Sequence, residues 1–145
     1  MIVTRRTLLA TGLAAALARP ARAAEPLAFG ELYRNAGLMG LEFSDKAKAL
    51  DGRPVTIAGF MAPMLKVQAD FVVLTREPVT VCPFCQSSAD WPADLVVVYL
   101  AGSQPYVGNE VPIAVTGTLE LGEYTDPGSE FVSMVRVRDA RYVEV

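Results

Sequence analysis

The chain has 145 residues, with 13 basic and 16 acidic side chains and no histidine. The absence of histidine excludes a Ser-His-Asp or Cys-His catalytic pair within this chain. An acidic protein repels phosphate backbones, so nucleic acid is not an expected partner. The length is sufficient for one domain that buries its own hydrophobic core.

Residues 1–23 have the pattern of an export signal. Arg5-Arg6 precede an apolar run of 12 residues (7–18), and Ala21-Arg22-Ala23 is a small-x-small cleavage motif. The paired arginines favour the twin-arginine route, and the apolar run is shorter than the roughly 20 residues of a membrane helix. We therefore expect a periplasmic protein that is cleaved after Ala23 and has no membrane span. Cleavage leaves 122 residues, with nine bases against 16 acids and a net charge of −7.

Residues 24–50 are expected to form a helical lead-in to the main domain. The spacing of apolar residues predicts a short helix over Leu27 to Met39. A second helical turn is predicted over Ser44 to Leu50, because Ser44 is a suitable N-cap and Gly52 follows the end.

Residues 51–145 have the patterns of β-strands, and their alternating or continuous apolar runs predict five strands. The predicted strands are 54–61, 70–75, 95–100, 111–121 and 131–145. Gly59 and Gly117 lie inside two of these strands, where glycine marks a bulge or bend that lets a small sheet close. The expected fold is mainly β: a small closed or partly open barrel of the oligonucleotide/oligosaccharide-binding (OB) type, with a short N-terminal helix.

A succession of segments over roughly residues 48 to 121 carries a family resemblance. It consists of L-D-G-R-P-V-T-I-A-G-F-M-A-P, F-V-V-L, a stretch with cysteine and proline, D-L-V-V-V-Y-L, and V-P-I-A-V-T-G-T-L. It resembles a family of uncharacterised exported bacterial proteins whose genes often lie beside ABC-transporter genes. The resemblance implies an exported OB-like domain of unknown function, and the family has no established activity that could be carried over to this chain. Many relatives have a single cysteine followed by a stretch with histidine, whereas this chain has C-P-F-C-Q-S-S-A-D-W-P.

The most distinctive chemistry lies at Cys82 and Cys85, which are separated by Pro83 and Phe84. In an oxidising compartment the two thiols are expected to form a disulfide across a very short loop. Alternatively, two thiolates at this spacing could bind copper(I) or zinc. As a third alternative, Cys82 could attack a disulfide and Cys85 resolve the mixed disulfide.

Further residues could take part in a metal site. The thioethers of Met61 and Met64 are soft ligands suited to copper(I). Zinc, which needs four ligands, would also require a carboxylate such as Asp90 or Asp94. No other cofactor is expected.

The same segment could instead be a rigid recognition loop. Trp91 is a candidate interface anchor, because tryptophan is frequent at binding hot spots, and Phe84 and Asp90 would lie beside it. The favoured hypothesis is a non-enzymatic periplasmic accessory domain that binds a partner protein, such as a transporter component, or a small ligand. The alternatives are a soft-metal protein and a thiol–disulfide exchanger.

Two other groupings are weaker candidates. Asp90 with Asp94, or Glu120 with Glu123, could form paired carboxylates for acid–base chemistry, although scattered acids on an acidic domain are usually solvated. Three tyrosines could line a ligand groove: Tyr106, Tyr124 and Tyr142.

Overall fold

The computed structural model describes residues 22–37, 40–63, 70–80 and 92–145. This part of the chain is mainly β, with one short α-helix and one 3-10 turn. The strands are β1 (Glu25–Pro26), β2 (Tyr33–Gly37), β3 (Gly40–Phe43), β4 (Pro54–Met61), β5 (Phe71–Thr75), β6 (Leu95–Leu100), β7 (Pro112–Thr125) and β8 (Val132–Glu144). The 3-10 turn is Phe29–Glu31, and the helix, α1, is Asp45–Leu50.

Six strands form one sheet in the order β1-β4-β5-β6-β8-β7. Because β4 also pairs with β7, the hydrogen bonds run in a ring from β4 through β5, β6, β8 and β7 back to β4. Within the ring only β6 and β8 are parallel. β1 pairs in parallel with β4 outside the ring, and β2 and β3 form a separate antiparallel hairpin.

The main core lies on the face that the five ring strands share. In β4, Val55 and Ile57 are fully buried, whereas Ala58, on the other face of the strand, is exposed. This alternation has the period of two expected of a strand. All five ring strands contribute, and α1 adds Leu50. The ring residues of this core are Val55, Ile57, Met61, Leu74, Val96, Val98, Ile113, Val115, Leu119, Val135, Val137, Ala140 and Tyr142.

β5 and β6 are buried on both faces, which explains why their sequences are continuous apolar runs. On the face opposite to the main core, Phe71 and Val73 of β5 pack with Leu95 and Val97 of β6. Phe131, which follows β7, packs against this second cluster. The outer face of these two strands is therefore covered in part by a side chain from the β7–β8 turn.

The two glycines predicted to lie at bends both occupy close approaches between strands. A Cβ atom on Gly59 would lie 2.6 Å from the carbonyl oxygen of Thr75, and one on Gly117 would lie 2.5 Å from that of Arg138. Gly117 also sits at a shift of register between β7 and β8. Only a residue without a side chain allows the backbones to come this close.

The helix predicted over Leu27 to Met39 is wrong over residues 27–37, and its last two residues lie outside the described ranges. A 3-10 turn is followed by β2, which pairs with β3, and the rings of Tyr33 and Phe43 stack across the hairpin with centroids 5.3 Å apart. Gly40 has a φ of 95°, which suits a turn and not a helix. Tertiary burial of Leu27 and Leu32 in the main core overrides the weak helical spacing.

The second predicted helix is confirmed as α1. Ser44 is its N-cap, and the Ser44 Oγ accepts a hydrogen bond from the Ala47 backbone N–H over 3.0 Å. Such a cap satisfies one of the free N–H groups of the first turn. In the part of the chain described here, no helix has the length and apolar character needed to cross a membrane.

Candidate functional site

Most of the residues singled out in the sequence lie outside the described ranges. These are Met64, Cys82, Phe84, Cys85, Asp90 and Trp91, together with residues 1–21 of the predicted export signal. Met61 is described: it ends β4, is 1% exposed and packs in the main core. Asp94 lies on the surface, where its carboxylate is 3.7 Å from the guanidinium of Arg76.

The three candidate tyrosines do not share a groove. Tyr106 is 58% exposed. Tyr142 lies in the main core, and its hydroxyl donates a hydrogen bond to the carbonyl oxygen of Pro105. Tyr124 lies instead on the opposite face of the sheet, where its ring contacts the guanidinium of Arg138.

The described residues bring together arginine, aromatic and acidic side chains on the sheet face opposite to the main core. We call this group the aromatic–arginine cluster: Phe71, Tyr99, Glu120, Tyr124, Asp126, Phe131, Arg136 and Arg138. The register of the ring assembles it. Arg136 of β8 is paired with Val97 of β6 on one side and with Glu120 of β7 on the other, and Arg138 follows two residues later on the same face.

Arg136 is the one buried charged residue among those described. Its side chain is 8% exposed, and its Nε donates to Glu120 Oε2 over 2.8 Å. Its Nη1 donates to the carbonyl oxygen of Gly122 over 2.7 Å. Since a buried charge needs both a counter-ion and hydrogen-bond partners, these contacts hold Arg136 in one position.

Arg138 lies beside it and is partly exposed. Its Nε donates to the same oxygen, Glu120 Oε2, over 2.8 Å. Its guanidinium carbon lies 4.4 Å from the ring centroid of Tyr99 and 4.6 Å from that of Tyr124. The two rings meet edge to face at 88°, so Arg138 occupies a corner of two aromatic faces, where cation–π attraction stabilises it.

The charges of this group are fixed by their contacts. Burial alone would raise the pKa of Glu120, but the hydrogen bonds from Arg138 and Arg136 outweigh burial and hold this pKa below its ordinary value. The hydrogen bond to Glu120 in turn raises the pKa of Arg138. At neutral pH Glu120 thus faces two guanidiniums, so these three side chains carry one surplus positive charge, which the carboxylate of Asp126 balances over the whole cluster.

Asp126 connects the β7–β8 turn to β6. Its Oδ1 accepts hydrogen bonds from the Gly128 and Ser129 backbone N–H groups and from the Ser129 hydroxyl, at 3.1, 2.8 and 2.8 Å. Its Oδ2 accepts from the Tyr99 hydroxyl at 3.0 Å. The hydrogen bond from the Ser129 hydroxyl is the main cause of the lowered pKa of Asp126. The pKa of Tyr99 is raised, mainly by burial and next by its hydrogen bond to Asp126.

Aromatic rings extend the cluster to β5. Phe71 is the cross-strand partner of Tyr99, with ring centroids 5.4 Å apart, and it stacks on Phe131 at 5.7 Å. Such offset and tilted ring pairs stabilise a packed surface beyond the area that they bury. The cluster therefore has an apolar half at Phe71 and Phe131 and a charged half at the two arginines.

Sequence reasoning missed this cluster as a site. The alternation in β8 does place Arg136 and Arg138 on one face, and that was the available signal. Their partners come from β6 and β7, so finding them requires the pairing of three strands. Glu120 does not form a carboxylate pair with the exposed Glu123, because it is paired with the two arginines.

The fold is similar to that of a DUF3299 family protein from Pseudomonas aeruginosa PAO1, known from a crystal structure at 2.45 Å resolution. The TM-score is 0.54 at 16% sequence identity, and the match covers 85% of this chain and 97% of that one. At this identity the likeness shows the fold alone. The neighbour belongs to a family of unknown function, which agrees with the resemblance to uncharacterised proteins. No family model and no curated protein matches the sequence.

Proposed function

We propose that this chain is a non-enzymatic binding domain of the periplasm, built as an OB-like barrel. In that interpretation β4, β5, β6, β7 and β8 are the five barrel strands in order. The first strand, β4, pairs with the second, β5, and with the fourth, β7. The third strand, β6, runs parallel to the fifth, β8. A closed Greek-key ring of this kind is how OB-like barrels avoid exposed sheet edges.

The position of the aromatic–arginine cluster carries the proposal. OB-like barrels bind ligands on the face of strands two and three, beside the loops that join strands one to two and four to five. Here Phe71 and Tyr99 come from strands two and three of that scheme, and Asp126 and Phe131 from the connection between strands four and five. Aromatic and arginine side chains are also those most frequent at binding hot spots.

The electrostatics favour binding over catalysis at this cluster. A general acid or base works best with a pKa near the operating pH. Glu120 and Asp126 both have lowered pKa values, so they remain ionised at neutral pH. Fixed charges on a rigid sheet are suited to recognising a partner.

Export agrees with the local structure at the expected cleavage site. Arg22 and Ala23 are exposed, as a signal peptidase would require. Two residues later Glu25–Pro26 pair with β4, and Leu27 is buried in the main core. Cleavage after Ala23 would therefore leave the pairing of Glu25–Pro26 with β4 and the burial of Leu27 in place. An accessory role beside a transporter is proposed from the family resemblance.

We further propose that the Cys82-Pro-Phe-Cys85 segment is closed by a disulfide and contributes to recognition. The two alternatives, binding of copper or zinc and thiol–disulfide exchange, both need free or reducible thiols. Intact-mass measurement of the periplasmic protein, with and without alkylation, separates the disulfide from metal binding, and a reduction-potential measurement separates a structural disulfide from one that exchanges. A mass two hydrogens short, with no added alkyl group, supports the disulfide. Free thiols or a retained metal mass would favour the soft-metal alternative.

Site-specific photo-crosslinking tests the binding surface. A benzophenone amino acid is placed at Phe131 in the cluster, or at Val143 as a control. Val143 is 64% exposed on β8 and lies outside the cluster. We expect a discrete adduct from position 131 in the periplasm, which excess unlabelled protein suppresses, and none from position 143. Equal labelling from both positions, or no adduct from position 131, would show that the cluster is not the binding surface.

A further inference from the structure

Within the group of Glu120, Arg136 and Arg138, one positive charge is uncompensated and is concentrated at one side chain, although Asp126 makes the aromatic–arginine cluster neutral as a whole. Arg136 is nearly fully buried and directs its hydrogen bonds to Glu120 and Gly122. Arg138 shares Glu120 with it, yet 29% of the Arg138 side chain is exposed. One carboxylate serves two guanidiniums, so the uncompensated charge is presented to solvent at Arg138.

We propose that Arg138 binds a carboxylate of a peptide segment in the partner protein. This proposal rests on the proposed function, because it assigns a ligand chemistry to the same surface. A guanidinium has five N–H donors in a planar fork, and the hydrogen bond to Glu120 uses Nε. The terminal edge of such a fork matches the two oxygens of a carboxylate, which gives paired, charge-assisted hydrogen bonds.

The surroundings of Arg138 favour a peptide that carries a single local charge beside apolar residues. Tyr99 and Tyr124 form the corner behind the guanidinium, and Phe131 extends the same surface through Phe71. Asp126, hydrogen-bonded to Tyr99, places a negative charge close by. This carboxylate would repel a second anionic group on the ligand.

The charge of the whole chain argues against polyanionic ligands. The net charge is −3, and removal of the expected signal makes it −7. Long-range repulsion disfavours nucleic acid, polyphosphate and acidic polysaccharide. A glutamate or aspartate side chain, or a free chain terminus, fits one arginine on an otherwise acidic surface.

The test is a titration of the mature protein, residues 24–145. It is monitored by nuclear magnetic resonance at neutral pH and constant ionic strength. Four probes are compared: acetyl-Ala-Phe-Glu-Phe-Ala-amide, the same peptide with glutamine for glutamate, acetyl-Ala-Phe-Ala with a free carboxyl terminus, and inorganic phosphate. The readouts are the backbone amide resonances of β6, β7 and β8, which give the affinity of every variant, and the side-chain N–H resonance of Arg138, assigned with Arg138→Lys. Arg138→Gln tests the site, and Arg141→Gln, which alters an exposed arginine of the same strand, is the matched control.

We expect the glutamate peptide or the free-terminus peptide to shift the Arg138 resonance saturably, and the stronger of the two identifies the source of the carboxylate. Arg138→Gln should weaken binding about tenfold, as expected for the loss of a charge-assisted hydrogen bond, and Arg141→Gln should leave it unchanged. Equal binding of the glutamine peptide, tighter binding of phosphate, or full affinity of Arg138→Gln would overturn the carboxylate assignment.

Crosslinking separates this proposal from the broader one. If the adduct from position 131 persists undiminished in Arg138→Gln, the cluster remains a binding surface and the carboxylate assignment fails. If the unsubstituted protein gives no adduct, the proposed function itself fails. Loss of the adduct in Arg138→Gln, with retention in Arg141→Gln, supports both.

Discussion

Glu120 of β7 and Arg136 of β8 stand directly opposite each other in the sheet, and Arg136 Nε donates to Glu120 Oε2 over 2.8 Å. The same oxygen accepts a hydrogen bond from Arg138, so one carboxylate oxygen positions two guanidiniums. Because a slip of one residue would turn these side chains to the other face, the register of β7 and β8 and the geometry of the cluster depend on each other.

Arg136→Met should destabilise the protein by about 1–3 kcal/mol. The substitution removes the charged donor from the Gly122 carbonyl and from one acceptor position of Glu120, and the site is buried. The measurement is urea unfolding at pH 7, which gives the free energy of unfolding. Arg141→Met, an exposed arginine on the same strand, should change stability by less than about 0.5 kcal/mol. Equal effects of the two substitutions would show that Arg136 adds no stability of its own.

Much of the ring could be predicted from sequence because each strand has a local signal. The alternation in β4 and the continuous apolar run of β6 identified strands that the structure confirms. Gly117, which was expected to mark a bulge or bend, lies at a shift of register between β7 and β8. The helix expected over Leu27 to Met39 failed, because burial of Leu32 and the turn at Gly40 depend on contacts made elsewhere in the chain.

The cluster could not be predicted in the same way, since its residues are distant in sequence. Tyr99, Glu120 and Arg138 come from three strands, and they meet only because β6 and β7 flank β8. Alternation along β8 places Arg138 on the face opposite to Val135 and Val137. A charged side chain on that face is ordinarily expected to be solvated. Long-range pairing converts that face into a packed, charged surface.

Glu120→Gln should reduce the acid sensitivity of the fold. The folded-state pKa of Glu120 is lowered, so its charge contributes stability above the unfolded pKa of about 4.3, and this contribution is lost as pH falls through the folded pKa. At pH 7 the variant should be less stable by about 1 kcal/mol or less, because the carboxylate is partly exposed. The difference from the unsubstituted protein should disappear well below pH 4.3.

The measurement for Glu120 is a series of urea unfolding curves from pH 7 down to acid. Glu123→Gln is the control, because Glu123 is an exposed carboxylate of the same strand. Its stability difference should be small at every pH. A Glu120→Gln difference that stays constant with pH would mean that the carboxylate charge is not the stabilising feature.

Gly117→Ala should be among the most damaging single-methyl changes in the chain. The added Cβ would lie 2.5 Å from the Arg138 carbonyl oxygen and 3.0 Å from the Ala140 Cα, and backbone atoms cannot move aside cheaply. We expect a loss of about 3 kcal/mol, in the upper range for overpacking, and a change in the Arg138 side-chain resonance. Gly30→Ala, which meets nothing within 4 Å, should change stability by no more than about 0.5 kcal/mol.

A double-mutant cycle should show that the Tyr99 hydroxyl and the Asp126 carboxylate interact energetically. The two are hydrogen-bonded at 3.0 Å and join β6 to the β7–β8 turn. With Tyr99→Phe and Asp126→Ala, urea unfolding should give a coupling energy of about 0.5–1.5 kcal/mol. Tyr142→Phe supplies the control, because Tyr142 lies in the main core, and its effect should add to that of Asp126→Ala within about 0.5 kcal/mol. If the Tyr99 pair were equally additive, the hydrogen bond from Tyr99 would add no stability, and Asp126 would hold the turn through its bonds to Gly128 and Ser129.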